Sequence, residues 1–183
     1  NQNNMVVTDG TLGHLIVSQE EGDLVFRTFD ENKGFQTLYR NDLFEVHPAL
    51  SLYSHNTKKD LWVGTSDGEL HYFKFPSDKI KTFIPNTSIR SIAALTDSTY
   101  IVATESIGWF QLNLSSGTMS HLSLTENGAS LSPYSSRNIF VEGDTIWSND
   151  NGNVIKVSSR SMEAEAFKHY PIIWNTWLSF DGV

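Results

Sequence analysis

The stretch that decides the fold is residues 60–83, which read DLWVGTSDGELHYFKFPSDKIKTF. It opens with an apolar strand, turns at Asp67 and Gly68, continues as a second strand and ends in a third strand after another polar turn. An Asp-Gly pair supplies the positive φ angles that a tight hairpin needs. The stretch therefore predicts three antiparallel strands joined by short hairpins.

The same pattern occurs three more times along the chain. The copies are HLIVSQEEGDLVFRTFDENKGFQTL at residues 14–38, TYIVATESIGWFQLNLSSGTMSHL at 99–122 and TIWSNDNGNVIKVSSRSMEAEAF at 145–167. The second residue of each unit begins its apolar run, at Leu15, Leu61, Tyr100 and Ile146, and the intervals between them are 46, 39 and 46 residues. A period of about 40–45 residues with several strands per unit is typical of a β-propeller.

One further strand precedes three of these units, at residues 48–55, 88–96 and 137–143. We therefore predict an all-β chain of about four four-stranded antiparallel blades, which together form one partial propeller domain over residues 1–183. The blades are expected at residues 5–40, 44–85, 88–124 and 134–170, with residues 172–183 as the start of a further blade. Outer hairpins are expected at residues 29–35, 75–80 and 114–118. Residues 161–168 could form a helix, but their place in the repeat favours an outer strand.

The composition agrees with a strand-rich fold and narrows the range of partners. The 183 residues include 11 Phe, 6 Tyr and 5 Trp, and aromatic residues favour strands. A formal net charge of −8 repels phosphate backbones and anionic lipids, which argues against a nucleic-acid partner. Because no apolar run approaches the roughly 20 residues of a membrane span, we also expect no membrane contact within this chain.

The sequence lacks the motifs of catalysis and of cofactor binding. It has no cysteine, no GxSxG, P-loop or GxGxxG motif, and no pair of His residues spaced for a zinc site, so we predict neither metal nor cofactor. The acids near the inner strands, Asp97, Glu142 and Asp144, are expected in turns at blade edges, not paired in a cleft as glycoside hydrolysis requires. We therefore predict a non-enzymatic protein. A propeller glycoside hydrolase or lyase and a protein-interaction scaffold are the alternatives.

The candidate ligand-binding residues come from the lengths of the connections. The two long intervals exceed the short one by seven residues, and the excess falls at residues 40–49 and 125–136, between an outer strand and the next inner strand. Polar residues enter the inner strands from these connections, at His47, Arg90, Arg137 and Asn138. Guanidinium groups at the mouth of a propeller channel suit carboxylate or sulfate groups on a sugar. The alternative is that Arg90 and Arg137 bond to neighbouring loop carbonyls.

Residues 89–122, IRSIAALTDSTYIVATESIGWFQLNLSSGTMSHL, resemble the two-component regulator propeller repeat. Residues 60–83, with LWVGT followed by GELHYF, resemble it as well. Three of the four units depart from the family's LWVGT, with LIVS, YIVAT and IWSND in its place. Quinoprotein and Kelch-like blades therefore stay open, whereas a WD-type blade is disfavoured because the GH…WD signature is absent.

The resemblance implies a place and a role for the chain. Repeats of this type build seven-bladed propellers in the periplasmic sensor regions of hybrid two-component histidine kinases, notably in Bacteroides-type bacteria. The implied role is signal transduction by carbohydrate sensing, with an oligosaccharide as ligand. The implied partners are neighbouring blades or a further domain of the parent chain, or a second copy in a homodimer.

Overall fold

A computed structural model shows the chain as a series of antiparallel β-sheets. It describes residues 4–9, 13–20, 23–41, 49–54, 60–74, 77–83, 85–126, 129–131, 138–150 and 153–168. These ranges hold strands and turns but no helix, so none of them contains a helix that could cross a membrane. Four sheets have four strands each, which confirms the predicted all-β class and propeller blades.

The strands follow one another in chain order. Blade 1 consists of β1 (Asn4–Asp9), β2 (Gly13–Glu20), β3 (Asp23–Asp30) and β4 (Gly34–Asn41). Blade 2 consists of β5 (Ala49–Ser54), β6 (Asp60–Thr65), β7 (Leu70–Lys74) and β8 (Ser77–Phe83). Blade 3 consists of β9 (Ile89–Ala94), β10 (Thr99–Thr104), β11 (Trp109–Asn113) and β12 (Thr118–Leu122). A hairpin of β13 (Leu124–Glu126) and β14 (Ala129–Leu131) precedes blade 4, which consists of β15 (Ile139–Glu142), β16 (Thr145–Asp150), β17 (Asn153–Ser158) and β18 (Ala164–Lys168).

Each blade is an antiparallel meander, and the outer hairpins of blades 1 and 3 lie where the sequence predicts them. In blade 1, Phe29 pairs with Phe35 across the turn, and in blade 3, Asn113 pairs with Thr118. In blade 2, β7 and β8 pair through a register shift, and residues 75 and 76 lie outside the described ranges. The segment predicted as an outer strand and not a helix contains β18. The further blade expected at residues 172–183 also falls outside the described ranges.

The first strands of the blades lie side by side. β1 is next to β5, β5 is next to β9, and β9 is next to β15. The backbone N–H of Ile139, at the start of β15, donates to Ser91 Oγ in β9 at 3.0 Å. First strands that lie together while the sheets pack face to face are the arrangement of a propeller.

Aromatic side chains fill the space between blades 2 and 3. Trp62 is fully buried, and its ring centroid lies 4.6 Å from that of Tyr72 and 4.8 Å from that of Tyr100 in the next blade. On the opposite face of blade 2, Phe73 packs against Phe26 of blade 1, with 5.6 Å between the ring centroids. A blade with neighbours on both sides needs apolar residues on both faces, which explains why β7 shows no clean alternation of apolar and polar residues.

A second core joins blades 3 and 4. Trp109 and Ile101 of blade 3 are buried in one cluster with Ile146 and Val157 of blade 4. Trp147, which follows Ile146, therefore points to the other face of β16, because successive side chains alternate along a strand. There it is half-buried, with Lys156 Nζ 5.9 Å from its ring centroid.

The predicted connection at residues 125–136 contains an element that the sequence analysis does not predict. β13 and β14 form a hairpin, and β13 lies near the outer strand of blade 4. The backbone N–H of Thr125 donates to the carbonyl of Met162 at 3.2 Å, and Leu124 is buried in the core between blades 3 and 4. The sequence signal was the Asn127-Gly128 pair, a strong hairpin former between short apolar segments.

The two Trp residues at the same repeat position provide a test of blade packing. We expect Trp62→Ala to lower the free energy of unfolding by about 3–5 kcal/mol, because it leaves a cavity between two blades. Trp147→Ala, at the half-buried equivalent position, should cost only about 1 kcal/mol. Urea denaturation followed by circular dichroism measures both values, and equal losses would contradict the packing described here.

Candidate ligand-binding face

Two equivalent turns lie at the end of the blades that the sequence predicts for ligand binding. They join the second and third strands of blade 2 and of blade 3. In blade 2, the N–H of Thr65 donates to the Glu69 carbonyl at 2.9 Å, and the N–H of Glu69 donates to Thr65 Oγ1 at 2.9 Å. In blade 3, the N–H and the hydroxyl of Thr104 both donate to the Gly108 carbonyl, at 3.0 and 2.7 Å. Both Thr side chains are fully buried, so each turn is closed by a hydroxyl in the same place.

The connection that enters blade 3, residues 85–88, lies between these two turns. Ser88 Oγ donates to the Ser66 carbonyl in the blade 2 turn, and the Ser88 carbonyl accepts from the N–H of Glu105 in the blade 3 turn at 3.0 Å. The hydroxyls of Thr87 and Ser106 are 3.0 Å apart. The connection is therefore bonded on both sides, and the backbone leading into β9 is fixed.

Gly68 allows this close approach. Its φ is +98°, and a Cβ built on it would lie 2.2 Å from the backbone nitrogen of Thr87. No other residue type fits there without displacing the backbone of the connection, because real Cβ atoms do not come so close. The Asp67-Gly68 pair that predicted the turn thus also determines how two blades meet.

Arg90 is the candidate residue that the structure places most clearly. It follows directly after Ile89 at the start of β9, and its Nη2 forms an ion pair with Glu105 Oε1. The Arg90 side chain is 35% exposed and that of Glu105 is 47% exposed, so the pair is accessible to solvent. The partner that the structure shows for the Arg90 guanidinium is therefore the Glu105 carboxylate.

Asn138 lies at the same end of the neighbouring inner strand. Its backbone N–H donates to Asn149 Oδ1 at 3.1 Å, and its carbonyl accepts from Ser148 Oγ at 2.9 Å. The bond from Ile139 to Ser91 joins the starts of β15 and β9, which brings Asn138 to the end of the blades where Arg90 lies. The other two candidates, His47 and Arg137, lie outside the described residues.

Blade 1 carries a charged cluster that sequence reasoning missed. Arg27 forms an ion pair with Glu20 through both carboxylate oxygens, and Arg40 Nη1 lies 2.7 Å from Asp23 Oδ2. The hydrogen bond from Arg27 lowers the pKa of Glu20 to about 2. The ordinary pKa of a Glu carboxyl is 4.5, so the lowered pKa of Glu20 means that the ion pair stabilises the folded state above pH 4.5. This stabilisation is lost as the pH falls toward 2 and Glu20 is protonated. Nothing in the repeat pattern indicates which of these charges meet.

The acids that an enzyme could use lie elsewhere in the blades. Asp97 and Asp144 occupy the turns between first and second strands, and Glu142 ends β15. Asp144 forms an ion pair with Arg160, and its carbonyl accepts from the N–H of Ser159 in the outer hairpin turn. In a meander these turns lie at the opposite end of the blade from Arg90. Within the described ranges, no group of three or more His, Asp and Glu residues could hold a metal ion.

Comparison with known proteins adds no family to this description, since the chain matches neither a protein-family model nor a curated protein sequence. The resemblance to two-component regulator propeller repeats therefore stays a prediction from the residues that carry it. The site is described by its own geometry alone: a solvent-accessible ion pair between Arg90, at the start of β9, and Glu105, in the blade 3 turn, next to a connection that is bonded to two turns.

Two glycines with positive φ test how strongly this face depends on close backbone packing. We expect Gly68→Ala to destabilise the fold by at least about 2 kcal/mol more than Gly117→Ala, because only the first adds a clash with neighbouring backbone. Gly117 has φ +72° and nothing within 4 Å of its Cβ position, so its substitution costs only the strained conformation. Urea denaturation of both variants measures the difference, and similar losses would contradict the assigned contact.

Proposed function

We propose that the chain is a non-enzymatic sensor propeller that binds an oligosaccharide in the periplasm and belongs to a hybrid two-component kinase. The observation that carries the ligand proposal is the Arg90–Glu105 pair, which is half-exposed beside the inner strands. The resemblance of residues 60–83 and 89–122 to two-component regulator propeller repeats supports the assignment to a sensor.

The chemistry of the pair suits a sugar. A guanidinium presents several N–H donors in a plane, and a carboxylate presents only acceptors. A sugar hydroxyl both donates and accepts, so adjacent hydroxyls can bond to Arg90 and Glu105 at once. A uronic acid offers more, because its carboxylate can form a bidentate bond with the guanidinium in place of Glu105.

The connection at residues 85–88 leads into the strand that carries Arg90, and its hydrogen bonds make the site rigid. A rigid site favours ligand binding. Because residues 85–88 are bonded to the turns of two blades, Arg90 needs little ordering when a ligand arrives, and a preorganised site loses less entropy on binding. Signalling requires a second property, since a ligand shifts an equilibrium only when it binds two states unequally. The joint between blades 2 and 3, which this connection spans, is where such states would differ.

Arginine substitutions at the two ends of blades 3 and 4 test the ligand proposal. Binding is measured by calorimetry with neutral oligosaccharides and with oligosaccharides that contain uronic acids. We expect Arg90→Ala to weaken binding at least about tenfold, which is the effect of losing one charge-assisted hydrogen bond. Arg160→Ala removes a similar exposed ion pair at the opposite end and should leave affinity unchanged. The proposal would be contradicted if the two variants changed the affinity equally, or if the unsubstituted chain bound no sugar.

The absence of catalysis is the second expectation of this proposal. The chain should release no reducing ends from polysaccharides that it binds, because Asp97, Glu142 and Asp144 lie in turns or at a strand end away from Arg90. Reducing-sugar and unsaturated-product assays on the purified chain measure this. Turnover that disappears in Glu142→Gln would instead support the alternative of a propeller glycoside hydrolase or lyase.

A further inference from the structure

The outer strand of blade 1 exposes large apolar side chains. Phe35 is 61% exposed and Leu38 is 54% exposed, both on β4, and Phe29 across the hairpin is 46% exposed. The rings of Phe29 and Phe35 lie edge to face with centroids 5.2 Å apart. Single exposed apolar residues are ordinary, but here Phe29 and Phe35 are in contact and Leu38 follows on the same strand, so this edge exposes a local apolar surface.

β4 is also an edge strand with little of the usual protection, which is limited to the bulge at Leu38. It is the last strand of its sheet, eight residues long, and has no charged residue before Arg40. The outer strand of blade 2 carries Asp78, Lys79 and Lys81, and that of blade 3 has only five residues. Proteins normally protect such edges with charge or by keeping them short, because an open edge accepts another strand.

The one charge on β4 is compensated within the blade. Arg40 Nη1 bonds Asp23 at 2.7 Å, and its Nη2 lies 3.8 Å from Glu20. The edge from Gly34 to Arg40 therefore carries no net charge that would repel an identical strand.

The edge of blade 4 is approached by another strand at one point. β13 forms an isolated parallel bridge between Thr125 and Glu163, just before β18, and the N–H of Thr125 donates to the Met162 carbonyl. Among the described residues, β4 has no such bridge, and its sheet ends with it. The outer edge of β4 is therefore open among the described strands, and it presents an apolar surface.

We propose that β4 pairs with β4 of a second copy of the chain, antiparallel and around a two-fold axis. Antiparallel pairing brings the Phe35 end of one strand to the Arg40 end of the other. A guanidinium close to an aromatic ring is a favourable contact, and the two-fold axis makes it twice. Leu38 lies in a bulge, where Thr37 pairs with Arg27 and Tyr39 with Phe26, and the second copy covers it.

The proposed dimer is weak because its interface is small. One strand of eight residues buries less than the roughly 800 Å² per partner of a standard interface, so the dimer dissociates on dilution. The chain carries a formal charge of −8, so two copies repel at long range, and salt that screens this repulsion strengthens the dimer.

Sedimentation equilibrium over a range of concentrations tests the proposal. The unsubstituted chain should show a monomer–dimer equilibrium whose dissociation constant falls as the salt concentration is raised. Leu38→Lys should raise the dissociation constant at least about tenfold, since it places like charges at the interface. Ser120→Lys adds the same charge to the outer strand of blade 3 and should change nothing. A monomer at all concentrations, or a dimer that Leu38→Lys leaves intact, overturns the proposal.

The lack of cysteine permits a second, independent test. In Thr37→Cys, the new thiol lies near the two-fold axis, and mild oxidation should yield a covalent dimer. Ser120→Cys, exposed on blade 3, should stay monomeric under the same conditions. Equal cross-linking of the two variants would show random collision and would overturn the assigned pairing, even if Leu38→Lys perturbed folding.

Discussion

The packing of Trp62 against Tyr100 is the contact on which the described array of blades depends. A four-stranded antiparallel sheet has two faces, and a blade between two others must bury both of them. Trp62 does this for blades 2 and 3 with ring centroids 4.8 Å apart, and Trp109 and Ile146 do the equivalent for blades 3 and 4. The repeat of about 40–45 residues thus serves to return an apolar residue to the same interface in each blade.

This packing also determines where the candidate site lies. Once two blades are in contact, their second-to-third-strand turns meet the connection that joins them, and Gly68 lets that connection approach. The hydrogen bonds of Ser88 to both turns then fix the direction in which Arg90 leaves the backbone. A ligand at the Arg90–Glu105 pair would therefore sense the joint between blades 2 and 3, which connects the proposed binding to a change in blade packing.

The sequence predicts the fold class, the strand order and the outer hairpins because these follow from local turn residues and from the repeat. It does not predict which charges meet, since the pairing of Arg90 with Glu105 and of Arg27 with Glu20 depends on distances across a turn or a sheet. The hairpin of β13 and β14 was missed because it interrupts the repeat, although Asn127-Gly128 indicates it locally. The exposure of β4 likewise depends on what covers each edge, which a repeat pattern does not encode.

A double-mutant cycle between blades 2 and 3 tests the central claim most directly. The free energies of unfolding of Trp62→Leu, Tyr100→Leu and the double variant are measured by urea denaturation. Residues in contact should show an interaction energy of about 0.5–3 kcal/mol, so the double variant should lose clearly less stability than the two single losses combined. Losses that add within about 0.3 kcal/mol would show that the two rings do not touch, and would contradict the face-to-face packing of these blades.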